Sequence, residues 1–233
     1  VEIVIDYIEE QITQYGNITK IPLTNTGRVR QFVKNKCLHS NTSHKKDSVG
    51  KNQRYTDLMK ECSLSADEYT MLKRCFMGGF THASMKWSGE TLENVASIDF
   101  TSSYPAVMLS EKYPMSRPIK VDLKKESFKE LLNNSDVGLM FDCKLIGVHA
   151  KNSFESYLSD SKCFDTKGVI ANNGRIFQAD ELTTTITDID FRIIKACYDI
   201  DKVAVTNCYK FYMQYLPKPI LQAILELYKN KTT

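Results

Sequence analysis

Hydrophobic and polar positions follow two periods along this chain, one helical and one typical of strands. Apolar residues recur at helical spacing through Val1–Tyr15, and Gly16 follows as a stop signal, which predicts an amphipathic helix. Residues Val137–Val148 instead place apolar side chains at every second position, which predicts one long strand. The inward positions of that strand are Leu139, Phe141, Cys143 and Leu145. Helical and strand patterns mix without an internal repeat, so we predict an α+β fold.

Turn and capping signals divide the second half of the chain. Asn172-Asn173-Gly174 separates two short β-prone runs, Val169–Ile170 and Arg175–Phe177, and predicts a hairpin. Further strands are predicted at Thr183–Ile186, Val203–Val205 and Cys208–Met213. Short helices are predicted after Ser65 and at Phe128–Leu132, and a final helix at Pro217–Lys231.

The pair Asp188-x-Asp190 has the spacing of a metal-binding carboxylate set, but its setting favours a structural role. Thr187 is a good N-cap, and Asp190 stands three residues later, where a capping side chain reaches back. Acids in a first helical turn are also stabilised by the helix dipole. We therefore interpret the pair as a helix start.

A short apolar run, Val95–Phe100, leads into a turn and a helix that begins near Tyr104. This pattern places Asp99 at the end of a predicted strand. An exposed carboxylate at such a point is a typical ligand for Mg²⁺, which prefers hard oxygen donors and substrate phosphates.

The residues around Asp99 resemble motif A of the family B DNA polymerases, Asp-x-x-Ser-Leu-Tyr-Pro. Here the motif reads Asp99-Phe100-Thr101-Ser102-Ser103-Tyr104-Pro105, so Ser103 replaces the Leu. Upstream, Phe76-Met77-Gly78-Gly79-Phe80-Thr81 resembles the Tyr-x-Gly-Gly element of the protein-primed branch, with Phe76 in place of Tyr. Both the order and the spacing of the two elements match that branch.

The resemblance implies a palm-type antiparallel sheet with flanking helices and a small β-rich insertion. It implies that Asp99 is catalytic and holds two Mg²⁺ or Mn²⁺ ions, with the Phe100 carbonyl as a further ligand. Tyr104 would pack under the sugar of the incoming deoxynucleoside triphosphate, and Ser103 would border the nucleotide pocket. Residues implied to contact the DNA primer-template are Phe76, Gly78, Gly79, Thr81 and Ser102.

The same resemblance divides the chain into four regions. Residues 1–30 would be the last exonuclease helix and a connector, and 31–110 the N-terminal palm segment with motif A. Residues 111–215 would be the insertion, a candidate contact for a priming terminal protein, and 216–233 the start of the fingers. The later motifs Lys-x-x-x-Asn-Ser-x-Tyr-Gly and Asp-Thr-Asp do not occur. We therefore expect a fragment of a DNA-directed DNA polymerase that does not polymerise DNA by itself.

Composition and charge add limits to this picture. A 42% hydrophobic and 25% charged chain is ordinary for a globular protein, and no apolar run reaches membrane-spanning length. Seven cysteines without paired spacing indicate reduced thiols and a cytosolic protein, in the bacterial host if phage-encoded. Cys37-x-His39 with His44 lacks a second ligand pair, which favours unrelated loop residues over a zinc site.

A basic segment, residues 27–54, leaves two interpretations open. It carries eight Lys or Arg residues, including Arg28 and Arg30, against Asp47 alone. Such a segment is typical of a solvated loop, but it also suits sequence-independent binding along a phosphate backbone. The alternative function is therefore a non-catalytic nucleic-acid-binding module that uses this segment.

Overall fold

The computed structural model describes residues 2–38, 57, 59–81, 83–84, 86–152 and 156–232. The chain divides into two compact units. Unit 1 contains residues Val1–Asp57, Ser102–Glu111 and Leu216–Thr233, and unit 2 contains Leu58–Thr101 and Lys112–Tyr215. The four functional regions predicted from the sequence, with boundaries at residues 30, 110 and 215, are a separate division and stay a prediction.

Unit 1 is helical in its described part. Its helices are α1 (Glu2–Tyr15), α2 (Asn25–Leu38), α4 (Ser103–Ser110) and α7 (Lys218–Thr232), with a 3₁₀ turn at Ile18–Lys20. Helix α7 packs against α2 and α4, and an ion pair between Lys36 and Glu226 joins α2 to α7. The predicted first and last helices are confirmed.

Unit 2 is built on an antiparallel sheet. Its strands are β1 (Lys112–Pro114), β2 (Ile119–Lys120), β3 (Val137–Ala150), β4 (Cys163–Lys167), β5 (Ile170–Asn172), β6 (Arg175–Thr187) and β7 (Tyr198–Tyr215). The order across the sheet is β1-β7-β3-β6-β4, with β2 also on β7 and β5 also on β6. Its helices are α3 (Ala66–Cys75), α5 (Phe128–Asn133) and α6 (Asp188–Cys197). The predicted α+β fold, with an antiparallel sheet and flanking helices, is confirmed.

The main core lies between one face of this sheet and helices α5 and α6. Phe141 is fully buried and makes edge-to-face contacts with Phe128 at 5.0 Å and Phe191 at 5.6 Å between ring centroids. One aromatic side chain from β3 therefore fastens both helices to the sheet. The predicted inward positions of β3 are all buried.

The opposite face of the sheet is covered at one end by α3. Met71 and Cys75 of α3 pack against Met140 and Phe211. The helix starts as predicted, because Ser65 and Glu68 form a reciprocal capping box. Burial raises the pKa of the Cys75 thiol to about 12, so it stays protonated at neutral pH. The six cysteines whose side chains are described are free thiols, as predicted.

The hairpin and the cap in the second half of the chain are also confirmed. Asn172 pairs with Arg175 across a two-residue turn, and Asn173 and Gly174 both adopt positive φ, as a type I′ turn requires. Thr187 caps α6, and Asp190 completes the capping box.

Two predicted breaks in the strands are wrong. One strand, β6, contains both Arg175–Phe177 and Thr183–Ile186. The residues between them continue the strand, because Glu181 lies on the sheet face and its carboxylate pairs with side chains of the neighbouring strands. Its partners are Lys144 at 2.8 Å and Lys167 at 3.4 Å. Likewise Val203–Val205 and Cys208–Met213 both lie in β7. The gap between them is a β-bulge in the same strand. Asn207 has a φ of 49° there, and its side-chain amide donates to the Asp142 carboxylate at 3.1 Å.

The predicted strand Val95–Phe100 is wrong as well. Residues 95–100 are irregular and exposed, and the relative accessibility of Ile98 is 90%. A strand forms only when its backbone groups are paired, and no strand within the described ranges pairs with this run. Asp99 therefore lies in an irregular, exposed segment and does not stand at the end of a sheet strand.

Candidate nucleic-acid and nucleotide site

The motif A segment crosses from one compact unit to the other. Asp99 and Phe100 belong to unit 2, whereas Ser102 to Pro105 belong to unit 1. The side chain of Asp99 is exposed, and 82% of Phe100 is accessible. The carboxylate is therefore open to a ligand and is not enclosed in apolar packing.

Helix α4 begins immediately after Ser102 because of local geometry. Ser102 adopts left-handed φ and ψ angles of 53° and 44°, and its carbonyl accepts from the amide of Ala106 at 3.1 Å. Pro105 lies in the first turn, where the missing N–H of proline is tolerated. Ser103 and Tyr104 both lie exposed in this first turn, Tyr104 with 79% of its surface accessible.

One carboxylate is too few to bind two divalent ions. Within the part of the chain that the structure describes, no group of three or more His, Cys, Asp or Glu side chains has a metal-binding arrangement. Asp99 therefore fits a divalent ion only when other oxygen donors, such as substrate phosphates, complete the coordination.

The pair Asp188-x-Asp190 is occupied by structural hydrogen bonds. An Asp188 oxygen accepts from the amide of Leu139 at 3.0 Å. Asp190 accepts from both the amide and the hydroxyl of Thr187, and from the Tyr157 hydroxyl at 2.5 Å. Burial, with the Asp190 bond, raises the pKa of Tyr157, so the phenol remains a donor. This agrees with the interpretation of the pair as a helix start.

The Gly-Gly loop, residues Phe76 to Thr81, follows the end of α3 in unit 2. The backbone amide of Phe76 donates to the Leu72 carbonyl at 2.9 Å and ends the helix. The relative accessibility of Phe76 is 67%. Gly78, Gly79 and Thr81 are exposed too. Phe80 anchors the loop, because its ring stacks on Tyr157 at 6.0 Å between centroids and lies 4.6 Å from the Arg175 guanidinium.

A cavity of about 220 Å³ lies beside the Gly-Gly loop, between it and the region of the predicted insertion. Sequence reasoning missed the side chains that the insertion region contributes here, Lys162, Arg175 and Tyr157. Only the position of Arg175, directly after the predicted hairpin turn, was visible in the sequence.

The two basic residues proposed from the connector differ in their surroundings. Arg28 hydrogen-bonds to the Tyr7 hydroxyl and lies 5.4 Å from the centroid of that ring, so it helps to join α2 to α1. Arg30 is exposed. The rest of the basic segment, including Lys45, Lys46, Lys51 and Arg54, lies outside the described residues, as do His39 and His44.

No helix among the described residues combines the length and the apolar character needed to cross a bilayer.

Solved structures show where this fold occurs. The chain is similar to Phi29 DNA polymerase in a ternary complex with primer-template DNA and incoming nucleotide, with TM-score 0.62, 16% identity and 89% of this chain covered. It is also similar to the same polymerase with single-stranded DNA, with TM-score 0.55, 17% identity and 95% covered. The matches cover 32% and 36% of those polymerase chains, so this chain spans about a third of their length.

Two further comparisons concern the sequence itself. A search of curated proteins finds no match. The family model for DNA polymerase type B, organellar and viral, matches residues 40–217, which is more than half of the chain. The chain therefore belongs to the family of organellar and viral type B DNA polymerases.

Proposed function

We propose that this chain carries the motif A part of the palm of a DNA-directed DNA polymerase. The observation that carries the proposal is the exposed carboxylate of Asp99 within a motif A sequence, in a chain of the type B family. The four regions 1–30, 31–110, 111–215 and 216–233 keep the roles that the sequence predicts for them.

Asp99, with the Phe100 carbonyl, would hold divalent cations against the triphosphate. When bound, Mg²⁺ or Mn²⁺ supplies the positive charge that nucleotidyl transfer requires. Tyr104 offers an exposed ring for the sugar of a deoxynucleoside triphosphate, and Ser103, being smaller than Leu, leaves more room beside it. The Gly-Gly loop offers exposed groups to primer-template DNA, and Ser102 offers a half-buried hydroxyl in the motif A sequence.

Because the sequence contains neither the Lys motif nor the Asp-Thr-Asp motif, we expect the chain by itself not to extend a DNA primer. The region of the β-rich insertion is the candidate contact for a priming terminal protein, and we place the protein in the cytoplasm of the host cell. The alternative, a non-catalytic module that binds through the basic segment, predicts DNA binding that depends on Arg30 and not on the Gly-Gly loop.

The test is binding of the purified chain to a fluorescent primer-template, followed by primer extension. We expect salt-dependent binding, with log K falling by roughly 0.9 per log unit of salt for each phosphate contacted, and no synthesis with Mg²⁺ or Mn²⁺. A chain that fails to bind at low salt would contradict the proposal. Template-dependent synthesis would contradict the expected inactivity of the chain alone.

The alternative module needs its own variants. Arg30→Ala removes an exposed cation of the basic segment, while Gly78→Ala changes only the Gly-Gly loop. If binding is lost in the first variant and unchanged in the second, the basic segment carries the affinity and the palm assignment loses its support.

A further inference from the structure

A further cavity lies in unit 2, beside the end of helix α6. Its volume is about 320 Å³, and the described residues that line it are Phe80, Ser156, Tyr157 and Cys197. None of these four side chains is charged at neutral pH. Small-molecule sites occupy roughly 300 to 1,000 Å³ and are mostly apolar, with a few polar groups that orient the ligand. This cavity, the Ser156 cavity, therefore has the size and the lining of a site for a small neutral molecule.

Ser156 supplies a buried polar group to this cavity. Its relative accessibility is 3%, and its hydroxyl oxygen makes no hydrogen bond of good geometry with the described residues. The Tyr198 hydroxyl lies beside it, but the one proton of that hydroxyl is donated to the Ile176 carbonyl at 2.8 Å. Tyr198 therefore cannot act as a donor to Ser156. Burying an oxygen without a donor costs free energy, which a ligand N–H or O–H would recover.

Two aromatic rings form a continuous wall of the cavity. The rings of Phe80 and Tyr157 stack with 6.0 Å between centroids and 16° between planes. The Tyr157 hydroxyl donates to Asp190 at 2.5 Å, so Tyr157 offers its ring to a ligand and not its proton. Cys197, the last residue of α6, adds a half-buried thiol. Aromatic rings and a polarizable sulfur both pack well against a further aromatic ring.

We propose that the Ser156 cavity binds a small, neutral aromatic molecule that carries one N–H or O–H donor. The donor bonds to the Ser156 oxygen, and the ring of the ligand packs against Phe80, Tyr157 and Cys197. Because Phe80 anchors the Gly-Gly loop, an occupied cavity also stabilises that anchor. The site goes beyond the proposed function, since its ligand contacts involve neither motif A nor DNA.

Two matched probes test the hydrogen bond to Ser156. Indole carries one N–H donor, and benzothiophene has the same bicyclic shape without a donor. In NMR titrations of the whole chain we expect indole to bind with a Kd of about 1 mM or below, as suits a ligand of this size. Intermolecular NOEs from indole to the Phe80 and Tyr157 rings should locate it in the cavity.

Ser156→Ala separates the hydrogen bond from the apolar contacts. We expect this variant to bind indole roughly fivefold to tenfold more weakly, while its affinity for benzothiophene does not fall. Its melting temperature should not fall either, because the substitution removes a buried oxygen that lacks a donor. Ser161→Ala, at an exposed serine of unit 2, is the matched control and should bind both probes as the parent does.

Three results would overturn the site. Neither probe binds the parent chain at millimolar concentration, or indole binds without NOEs to Phe80 and Tyr157, or Ser156→Ala binds indole as tightly as the parent. None of these results bears on the proposed function, because the titrations contain no DNA. The primer-template assay decides that function separately.

Discussion

Phe141→Ala is expected to lower the free energy of unfolding by about 3 to 5 kcal/mol, the range for truncating a fully buried phenylalanine. Phe141 has no accessible surface, and its ring contacts both Phe128 and Phe191. Its removal leaves a cavity at the point where α5, α6 and the sheet meet, so the loss includes both burial and aromatic contacts.

Urea denaturation followed by circular dichroism measures this change. The control is Phe76→Ala, because 67% of the Phe76 surface is exposed and its truncation should cost well under about 1 kcal/mol. If the two variants were equally stable, the aromatic cluster would not be the centre of the unit 2 core.

Tyr198→Phe is expected to cost about 2 to 3 kcal/mol although only one oxygen atom is removed. Tyr198 is 2% exposed, and its hydroxyl accepts from the Leu158 amide at 2.9 Å and donates to the Ile176 carbonyl at 2.8 Å. Burial raises the pKa of this phenol, so it remains a donor throughout the neutral range. The variant leaves a buried amide without its acceptor.

The same denaturation experiment applies, with Tyr212→Phe as the control, because the Tyr212 ring is half exposed. Equal stability of the two variants would show that water or another group replaces the lost hydroxyl. Because Leu158 lies next to Tyr157, which holds Arg175, we also expect Tyr198→Phe to loosen the cavity beside the Gly-Gly loop.

Much of unit 2 was predictable because its sequence carries local signals. The alternation in β3, the Asn-Gly turn and the Thr187 cap each specify structure within a few residues, and each is confirmed. The breaks predicted within β6 and β7 fail for a common reason. In the sequence, a charged residue on a sheet face and a bulge both have the pattern of a loop. Only the pairing with the neighbouring strand shows that the strand continues.

The residues of the candidate site also fall into two groups, those with a local sequence signal and those without one. Motif A and the Gly-Gly loop were recognisable because they are continuous in sequence. The strand predicted before Asp99 was not reliable, since an apolar run becomes a strand only when another strand pairs with it. Lys162 and Arg175 were invisible as site residues because only the folding of unit 2 brings them to the Gly-Gly loop.

Asp99 as a ligand for a nucleotide-bound metal is the central claim, and NMR with Mn²⁺ tests it most directly. Adding Mn²⁺ with a deoxynucleoside triphosphate should broaden the amide resonances of residues 98–101, because the phosphates complete the coordination that one carboxylate begins. Asp99→Asn should abolish this local broadening, while Asp199→Asn, at a side chain that is 76% exposed, should retain it. Equal broadening at residues 98–101 with and without the Asp99 carboxylate, or none in either protein, would contradict the account.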